Sequence, residues 1–505
     1  MSLPILLLDV SHDYTLGVEQ LSDWVQLPVG LLWLSASLRE RFTDAVTVKV
    51  IDLYTQPGHL ADVPAILREL RPRLVGLRAL SPTVGQLRDA ARVVKEWDPT
   101  ALVVAGGPCG HAERARLFDD PHIDAVCPGE GERVICDVVE RLRTAAGGAP
   151  DLRDVPGLLC RHDGQVHEGP PAAAIDDLDS LPFPDYRDLD VNAYVGKHPH
   201  TAVGRPYASL ICSRGCPYSC IFCHAIFGRR VRHRSPANVA AEVRQLHDRF
   251  GIRDFILGDD AFNVNLPWAK EVFRRIAALA IRPRLFFSNG LRGDIWDDEL
   301  LDLMVAAGVA EVVYAVESAA PRIQQLLQKR LDIPTVEKAI VATAKRGIIT
   351  NGFFMIGFPS ETEEELKVTV DFVLRHLDDL DFPYLSVVRA FEGTPLHQVA
   401  REAGYSEEFL RHHADMPYGM QVRIQSEYNF LPNDVLKKAR MQVAMRMYSV
   451  GRMKRVLARL RHVLHEDEIT MKLANCMGAT PTAAAAVVRR YDDGTLEGRR
   501  EAPKV

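Results

Sequence analysis

Short apolar runs alternate with amphipathic stretches along most of this chain, and no other feature restricts its fold as strongly. From residue 1 to about 145, the runs PILLLDV, TVKVIDLY, LVGLRAL and ALVVAGG are separated by segments with apolar residues at helical spacing. A second alternation extends from about 205 to 395. Strands separated by helices are typical of parallel sheets. We therefore expect an α/β protein with a doubly wound sheet followed by a partial (β/α)6 barrel.

These patterns divide the chain into four predicted segments. The doubly wound domain covers residues 1–148, and the barrel covers 201–398. Between them, 149–200 is rich in Pro and Asp without a persistent period, which indicates an ordered linker. Residues 399–505 are expected to be mainly helical. Their stretch VLKKARMQVAMRMYSVGRMKRVLARLRHVL has apolar residues at helical spacing, and we interpret its many Arg and Lys residues as the solvated face of a helix packed on the barrel.

Charge and composition restrict the class of partner. The 505 residues include 61 Lys and Arg against 67 Asp and Glu, giving a formal net charge of −6. No global positive field attracts a polyanion, so nucleic acid is not an expected partner. The start MSLPILLLDVSHD contains an apolar run that is too short to span a bilayer. Asp9 directly follows this run. We interpret it as a buried strand of a cytoplasmic protein with no membrane partner.

Four of the nine cysteines crowd into twelve positions: Cys212, Cys216, Cys220 and Cys223. Clustered thiols without a secretion signal indicate metal or redox chemistry instead of disulfides. Cys216, Cys220 and Cys223 have C-x3-C-x2-C spacing, and three such thiolates can hold three corners of a [4Fe–4S] cube. The fourth iron then has no protein ligand and is open to a substrate or cofactor.

Two other interpretations of the cysteines compete with this one. A structural zinc site favours four ligands in two pairs, but Cys160 and Cys476 are isolated in the sequence. Cys212, Cys216 and Cys220 form an alternative triplet with x3 and x3 spacing. We prefer the x3-x2 set because Phe222, between its last two cysteines, would leave an aromatic face beside the open iron. Cys212 is then a spare thiol at a strand end.

The segment CPYSCIFC, placed after a strand at the start of an α/β barrel, resembles the signature of the radical S-adenosylmethionine (SAM) superfamily. The resemblance implies that Cys216, Cys220 and Cys223 bind the cluster. It also implies that the amino and carboxylate groups of SAM chelate the open iron and that Phe222 lies near the adenine.

Polar residues at the ends of consecutive barrel strands fit the same resemblance. In barrels such residues face one mouth, although each carboxylate alone is also compatible with helix capping or a surface ion pair. The predicted SAM contacts are Phe222, Gly258, Asp259, Asp260, Ser288, Asn289, Glu317 and Ser318. Three further residues are candidates for the mouth: Tyr314, Arg389 and Arg292. Tyr314 and Arg389 are the candidate catalytic residues. The turns GFPSET at 357–362 and FEGTP at 391–395 resemble the family's GxPxET and PGTP turns, with Phe391-Glu392 where a proline is usual.

The first 148 residues resemble the cobalamin-binding, Rossmann-like domain of class B radical SAM enzymes. The resemblance rests on a helix opened by Pro28-Val29-Gly30 and on small residues in three loops at one sheet edge. The predicted cobalamin contacts are Ser81, Thr83, Gly106, Gly107, Gly129, Glu130 and Gly131. Because Asp9-Val10-Ser11-His12 does not match Asp-x-His-x-x-Gly, we expect His12 to be a loop histidine and not an axial ligand.

The implied function is a cobalamin-dependent radical SAM C-methyltransferase acting on an unactivated carbon of a small-molecule or natural-product intermediate. Its implied cofactors are a [4Fe–4S] cluster, SAM and cobalamin, and its implied electron donor is a flavodoxin or ferredoxin. The main alternative is cyclisation, rearrangement or C–C bond formation without net methyl transfer. A methylthiotransferase fits less well, because Cys109, Cys127 and Cys136 lack the spacing of its second cluster. A non-catalytic carrier or sensor does not need six strand ends with polar residues.

Overall fold

The computed structural model describes residues 2–11, 26–145, 148–196, 198, 203–415, 427–477 and 479–492. They form two compact units. The first contains the described residues up to Ala193 together with Ala225–Gly228, and the second contains the remainder. No helix within the described ranges is long and apolar enough to cross a membrane.

The first unit is built on a seven-stranded sheet. Its strands are β1 (Leu3–Asp9), β2 (Val46–Asp52), β3 (Leu74–Arg78), β4 (Leu102–Gly106), β5 (Ala125–Val126), β6 (Leu159–His162) and β7 (Gln165–Glu168). Its helices are α1 (Val29–Phe42), α2 (Val63–Leu70), α3 (Val84–Trp97), α4 (Gly107–Glu113) and α5 (Gly131–Thr144). The order is β2-β1-β3-β4-β5-β6-β7, and the first five strands are parallel. The predicted doubly wound sheet is confirmed.

The segment 149–200 differs from the predicted linker. It contains β6 and β7, which pair antiparallel and extend the sheet beyond β5. Asp163 and Gly164 connect them with positive φ angles of 48° and 76°. An Asp-Gly pair is the typical signal of a tight hairpin, and the four-residue strands on either side are too short to produce a persistent period. Further along, Asp185 and Asp188 form ion pairs with Arg39 of α1 at 2.5 and 2.7 Å.

The second unit contains a six-stranded parallel sheet and a small antiparallel pair. The parallel strands are β8 (Tyr207–Leu210), β11 (Asp254–Leu257), β12 (Arg284–Phe287), β13 (Val309–Glu317), β14 (Ile349–Ile356) and β15 (Phe382–Val387), and the pair is β9 (Ser213–Arg214) with β10 (Arg232–His233). The helices are α6 (Pro236–Phe250), α7 (Leu266–Ala277), α8 (Asp298–Ala307), α9 (Pro321–Leu326), α10 (Ile333–Lys345) and α11 (Glu363–Arg375). The parallel strands follow one another in chain order, so the predicted partial (β/α)6 barrel is confirmed.

The C-terminal region is helical, as predicted. Its helices are α12 (Pro395–Glu402), α13 (Glu407–Asp415), α14 (Asn433–Met447), α15 (Val450–Leu460), α16 (Glu466–Met477) and α17 (Pro481–Asp492). The predicted boundary at 398/399 falls inside α12. The basic stretch forms two helices, α14 and α15. Arg452 is buried, and its guanidinium donates to the carbonyl oxygens of Leu377, Leu380 and Asp381. This part of the basic face therefore anchors α15 instead of being solvated.

Helix α16 covers the amino-terminal ends of the barrel strands. Lys472 Nζ lies 2.7 Å from Glu311 Oε1, and both side chains are fully buried. Arg284 bridges Asp254 and Glu468 at 2.5 and 2.6 Å. Because polar groups close this end, chemistry is left to the carboxyl ends of the strands, as is general in barrels.

Candidate active site

The three cysteines of the C-x3-C-x2-C motif lie on a loop after β9, here named the cluster loop (residues 215–223). Gly215 begins the loop with φ +91°, a left-handed conformation that favours glycine. Cys216 and Cys220 are partly buried, and Cys223 is exposed. The Cys223 backbone N–H donates to the Cys220 carbonyl at 3.2 Å. The motif thus folds into a compact loop with one thiol open to solvent.

Contacts from the later strands hold the cluster loop at the barrel mouth. The backbone N–H of Ile221 donates to the Leu327 carbonyl at 3.1 Å, and the Leu396 N–H donates to the Ile221 carbonyl at 2.8 Å. The Ile221 side chain belongs to an apolar cluster that includes Phe358 after β14 and Val388 after β15. The motif therefore lies where the carboxyl ends of β13 to β15 meet.

Two aromatic rings of the cluster loop contact cations from neighbouring strand ends. The Arg292 guanidinium lies 3.8 Å from the centroid of the Tyr218 ring, and Lys329 Nζ lies 5.9 Å from the centroid of Phe222. Arg292 also pairs with Asp294 at 2.7 Å and donates to the Lys329 carbonyl at 3.1 Å. Such contacts fix the planes of both rings beside the thiols.

Glu317 has a strained backbone conformation. It ends β13 with φ +66°, and the pairing of β13 with β14 shifts register just before it. Glu317 Oε1 accepts a hydrogen bond from Lys329 Nζ at 2.7 Å, and both side chains are buried. Gln328 and Arg330, on either side of Lys329, also have positive φ. Strained non-glycine residues persist where the surroundings hold them and cluster at functional sites.

The residues after β11 and β12 are tied to each other and to the cluster loop. The Gly215 N–H faces the Asp260 carboxylate. Asn289 Nδ2 donates to the Gly258 carbonyl at 2.8 Å. Asp259 has a different role, because its buried carboxylate accepts from the Cys212 N–H at 3.1 Å and from the Ser213 hydroxyl at 2.6 Å. Burial raises the pKa of Asp259 to about 7, although these hydrogen bonds oppose the shift.

Three other predicted residues are buried. Ser288 is buried at the end of β12. The Ser318 hydroxyl lies 3.0 Å from the Thr369 hydroxyl of α11. The Tyr314 hydroxyl lies 2.7 Å from the Thr343 hydroxyl of α10, and burial raises its pKa to about 12. Ser318 and Tyr314 thus join the sheet to its outer helices. Because the Tyr314 hydroxyl faces α10, its position does not support a catalytic role.

The two predicted family-like turns close β14 and β15. In the first, Glu361 is buried and accepts from the Gly357 and Phe358 N–H groups at 2.6 and 3.1 Å, and burial raises its pKa to about 7. In the second, Thr394 caps α12, whose first turn bonds to the cluster loop. Arg389, between the turns, donates to the Val388 carbonyl at 3.0 Å and to Asn429 Oδ1 at 3.4 Å.

The three predicted cobalamin loops of the first unit follow adjacent parallel strands, β3, β4 and β5. The Cys109 N–H donates to the Ala79 carbonyl at 3.0 Å and joins the first two loops. The predicted contacts Ser81 and Thr83 form a short 3-10 turn, in which the Thr83 hydroxyl donates to the Leu80 carbonyl at 3.1 Å.

The other predicted cobalamin contacts follow β4 and β5. Gly106 ends β4 and Gly107 begins α4, while Gly131 begins α5. Glu130 Oε2 accepts from the Ile175 N–H at 3.0 Å. A Cβ on Gly129 would meet no atom within 4 Å, so the backbone there borders open space. Because few side chains cover this edge of the sheet, it can accommodate a large flat ligand.

An ionic group at the same edge was not predicted from the sequence. Arg78, the last residue of β3, pairs with Asp9, the last residue of β1, and donates to the Ser11 hydroxyl at 2.8 Å. A Cβ on Gly107, whose φ is +72°, would lie 2.9 Å from the Arg78 side chain. The signal in the sequence was two charged residues at the ends of neighbouring strands. His12 lies outside the described residues.

The cysteine chemistry of the second unit fits an iron–sulfur cluster better than a single metal ion. Within the described ranges, no three His, Cys, Asp or Glu side chains are arranged to hold one ion. A [4Fe–4S] cluster holds the sulfurs of its cysteine ligands farther apart than a single metal ion does. Thiolates are the usual ligands of such a cluster. Bound iron would stabilise these cysteines as thiolates.

Two family models match the chain. Residues 24–139 match the B12 binding domain, and residues 210–373 match the Radical SAM superfamily. The chain is a cobalamin-binding-domain (class B) radical SAM enzyme. The enzyme's domains imply a [4Fe–4S] cluster, SAM and cobalamin as cofactors.

Relatives of the enzyme include named methyltransferases and a cyclase. An uncharacterized methyltransferase of Pyrococcus horikoshii is 29% identical over 74% of this chain and 78% of its own. Cytidylyl-2-hydroxyethylphosphonate methyltransferase of Streptomyces wedmorensis is 27% identical over 68% and 72%. The anaerobic magnesium-protoporphyrin IX monomethyl ester cyclase of Cereibacter sphaeroides is 28% identical over 76% and 62%.

The fold is also that of a solved methyltransferase. The radical SAM methyltransferase TsrM of Kitasatospora setae, solved with cobalamin and a [4Fe–4S] cluster, superposes with a TM-score of 0.70 at 18% identity over 99% of this chain and 100% of that one.

Proposed function

We propose that this enzyme transfers a methyl group to an unactivated carbon of a small molecule. The observation that carries the proposal is the presence in one chain of a B12-binding domain and a radical SAM barrel whose mouth holds the C-x3-C-x2-C loop. When bound, the cluster and SAM supply hydrogen-atom abstraction, and cobalamin supplies the methyl group. The relatives named as methyltransferases support this assignment.

In this proposal Cys216, Cys220 and Cys223 hold the cluster. Phe222 packs against SAM, its ring held by Lys329. Glu317 and Asp260 supply acceptors for the amino group of SAM or its ribose hydroxyls, since charge-assisted hydrogen bonds position such groups well. Asp259, Ser288 and Ser318 support the strand ends, whereas Gly258 and Asn289 line the mouth between β11 and β12.

The proposed substrate is a small molecule, and the proposed electron donor is a flavodoxin or ferredoxin. One relative is named for a cytidylyl-hydroxyethylphosphonate substrate, and a second TsrM structure is described with a tryptophan substrate. Both substrates are small polar metabolites. The loops at the edge of the first unit would hold the corrin through Gly106, Gly107, Gly129 and Gly131, with Ser81, Thr83 and Glu130 as polar contacts.

The test uses SAM with a deuterated methyl group. Enzyme loaded with the [4Fe–4S] cluster and cobalamin is incubated anaerobically with this SAM, a reductant and small-molecule extracts of the cells that produce the enzyme. The products are analysed by mass spectrometry. A product carrying one labelled methyl, together with 5′-deoxyadenosine, supports the proposal. The Cys223→Ser variant is the control and should give neither. Consumption of a substrate without label in the product would contradict methyl transfer.

A second function is favoured by one specific observation, the similarity to magnesium-protoporphyrin ester cyclases. In that case the enzyme closes a ring or forms a C–C bond without net methyl transfer. The labelling experiment separates the two functions. Formation of 5′-deoxyadenosine with an unlabelled, rearranged product would identify the second.

A further inference from the structure

A local excess of positive charge lies in the C-terminal helices. Residues 435–465, which include most of α14 and all of α15, contain nine Lys and Arg residues and no Asp or Glu. The whole chain has a net charge of −6, so this segment differs in sign from the protein around it. On α15, Arg455 and Arg459 pair with Asp378 and Asp381 of the barrel. The exposed cations of α14 therefore stand out if nothing pairs with them.

The outer face of α14 combines exposed methionines with unpaired cations. Met441 and Met445 are 61% and 55% exposed, more than any other large apolar side chain in the described part of the chain. Lys437, Lys438 and Arg446 are exposed on the same side of the helix. Among the residues that the structure describes, no side chain forms an ion pair or hydrogen bond with these three cations. We name these five side chains the α14 patch.

The start of α14 lies at the end of the barrel that carries the cluster loop. Leu436, on the buried face of the helix, packs at the end of β14, where a Cβ on Gly357 would lie 3.2 Å from the Leu436 Cδ2 atom. The next residue of that turn, Phe358, packs in the apolar cluster that contains Ile221 of the cluster loop. The two lysines of the α14 patch directly follow Leu436. They lie one helix diameter, about 10 Å, from that apolar cluster.

The composition of the α14 patch is that of a surface for a transient protein partner. Exposed apolar side chains with a polar rim are typical of protein interfaces, in which Met and Arg are enriched. Methionine suits changing partners because its flexible side chain adapts to different surfaces. Unpaired cations attract an acidic protein and increase the rate of encounter. One helix face buries little area, and small interfaces are typical of electron-transfer complexes.

We propose that the α14 patch docks the small acidic electron-carrier protein that reduces the cluster. The inference rests on the proposed function, which includes a donor of the flavodoxin or ferredoxin type. In the docked complex one electron passes from the carrier, which is oxidised, to the bound cluster, which is reduced, and no bond forms or breaks. Acidic side chains of the carrier pair with the three cations, and an apolar part of its surface covers the two methionines.

The first test measures binding of the carrier to the full-length enzyme loaded with the cluster and cobalamin. The probes are a purified bacterial flavodoxin and a purified bacterial ferredoxin, each fluorescently labelled, and anisotropy is recorded anaerobically. The double variant Lys437→Glu with Lys438→Glu should weaken binding of the preferred carrier by about tenfold or more. The matched control, Lys338→Glu with Lys345→Glu, makes the same charge change on two exposed lysines of α10 and should bind as the wild type does. Salt at about 1 M should weaken wild-type binding, because it screens charges beyond about 3 Å.

A second variant tests the apolar part of the α14 patch without changing its charge. Met441→Gln with Met445→Gln should weaken binding severalfold and keep the salt dependence of the wild type. Rapid mixing with the reduced carrier then measures cluster reduction by visible absorbance and by the electron paramagnetic resonance signal. Both variants of the patch should slow reduction by the carrier in proportion to their loss of binding. Reduction by dithionite, which needs no docking, should stay unchanged.

Wild-type rates of cluster reduction by the carrier in both patch variants would overturn the inference. So would the failure of both carriers to bind wild-type enzyme, or an equal loss of binding in the α10 control. Patch-dependent binding of a single-stranded RNA or of phosphatidylglycerol vesicles, without binding of a carrier, would assign the surface to another partner and also overturn it.

Methyl transfer from labelled SAM is assayed in the same preparations, with the carrier and with dithionite. Patch-dependent cluster reduction without methyl transfer by either reductant would contradict the proposed function and leave the docking surface standing. Methyl transfer at the wild-type rate with the carrier in both patch variants would contradict the docking surface and leave the proposed function standing.

Discussion

Lys329 Nζ lies 2.7 Å from Glu317 Oε1 and 5.9 Å from the centroid of the Phe222 ring. A buried ion pair therefore connects the strained end of β13 to the cluster loop. The same strand carries a second buried pair at its other end, Glu311 with Lys472, also at 2.7 Å. One pair lies at the candidate active site and the other at the closed end of the barrel, so the two have different expected effects on catalysis.

Replacing Lys329 with Met should destabilise the enzyme by about 3 kcal/mol, because Glu317 remains buried without its partner. The double variant Lys329→Met with Glu317→Gln should recover most of that loss. SAM cleavage should stay at least about tenfold below wild type in both variants, because both lack the cation beside Phe222 and the double variant also lacks the Glu317 carboxylate proposed to bind SAM. Urea unfolding and 5′-deoxyadenosine formation measure the two effects. Wild-type cleavage by the stable double variant would argue against a role in SAM binding.

Replacing Lys472 with Met should cost a similar amount of stability, about 3 to 5 kcal/mol, since it leaves Glu311 unpaired. Here the double variant with Glu311→Gln should recover both stability and SAM cleavage. Lys437→Met, an exposed lysine on α14, is the control and should change stability by less than about 0.5 kcal/mol. A stable Lys472 double variant that has lost SAM cleavage would mean that the closed end of the barrel also contributes to catalysis.

The cysteine assignment predicts different effects on iron content. Serine at Cys216, Cys220 or Cys223 should remove most of the iron, because each supplies one corner of the cluster. Cys212→Ser should keep wild-type iron, since Cys212 is fully buried beside Asp259 and the strand end. Iron and sulfide are measured per chain after anaerobic reconstitution. Iron loss in Cys212→Ser with retention in Cys223→Ser would favour the competing triplet.

Glu361 should make stability depend on pH. Burial raises its folded-state pKa from 4.5 to about 7, so the folded protein keeps a proton that the unfolded chain releases. The free energy of unfolding should therefore fall as pH rises from 4.5 to 7, with a contribution of at most about 1.4 kcal/mol per pH unit. Glu361→Gln should flatten this slope, whereas the exposed Glu364→Gln should not. Urea unfolding across the pH series measures both, and equal slopes would refute the assignment.

The sequence predicted the features that depend on local pattern. Each strand, each strand end and the cysteine spacing can be read from a short stretch of sequence. Both sheets and the position of the cluster loop therefore agree with expectation. Carboxylates at strand ends were harder to interpret. Asp259 and Asp260 are neighbours in sequence, yet Asp259 accepts from the Cys212 N–H and the Ser213 hydroxyl, whereas Asp260 faces the Gly215 N–H.

The features that the sequence missed depend on contacts between distant segments. Lys329 belongs to no motif, and Glu317, Gln328 and Arg330 all have positive φ angles where the chain brings Lys329 to Glu317. Glu311 and Lys472 are 161 positions apart, and only the packing of α16 against the barrel brings them together. Side-chain direction also escaped prediction, since Tyr314 lies on a barrel strand but faces Thr343 of α10.

The most direct test of the central claim is the metal content of the whole enzyme. The protein is produced with cobalamin supplied and purified without oxygen, and iron, sulfide and cobalt are measured per chain together with the visible spectrum. The account predicts about four irons with matching sulfide, and about one cobalt. A full complement of iron and sulfide with no cobalt would contradict cobalamin-dependent methyl transfer and leave radical rearrangement as the function.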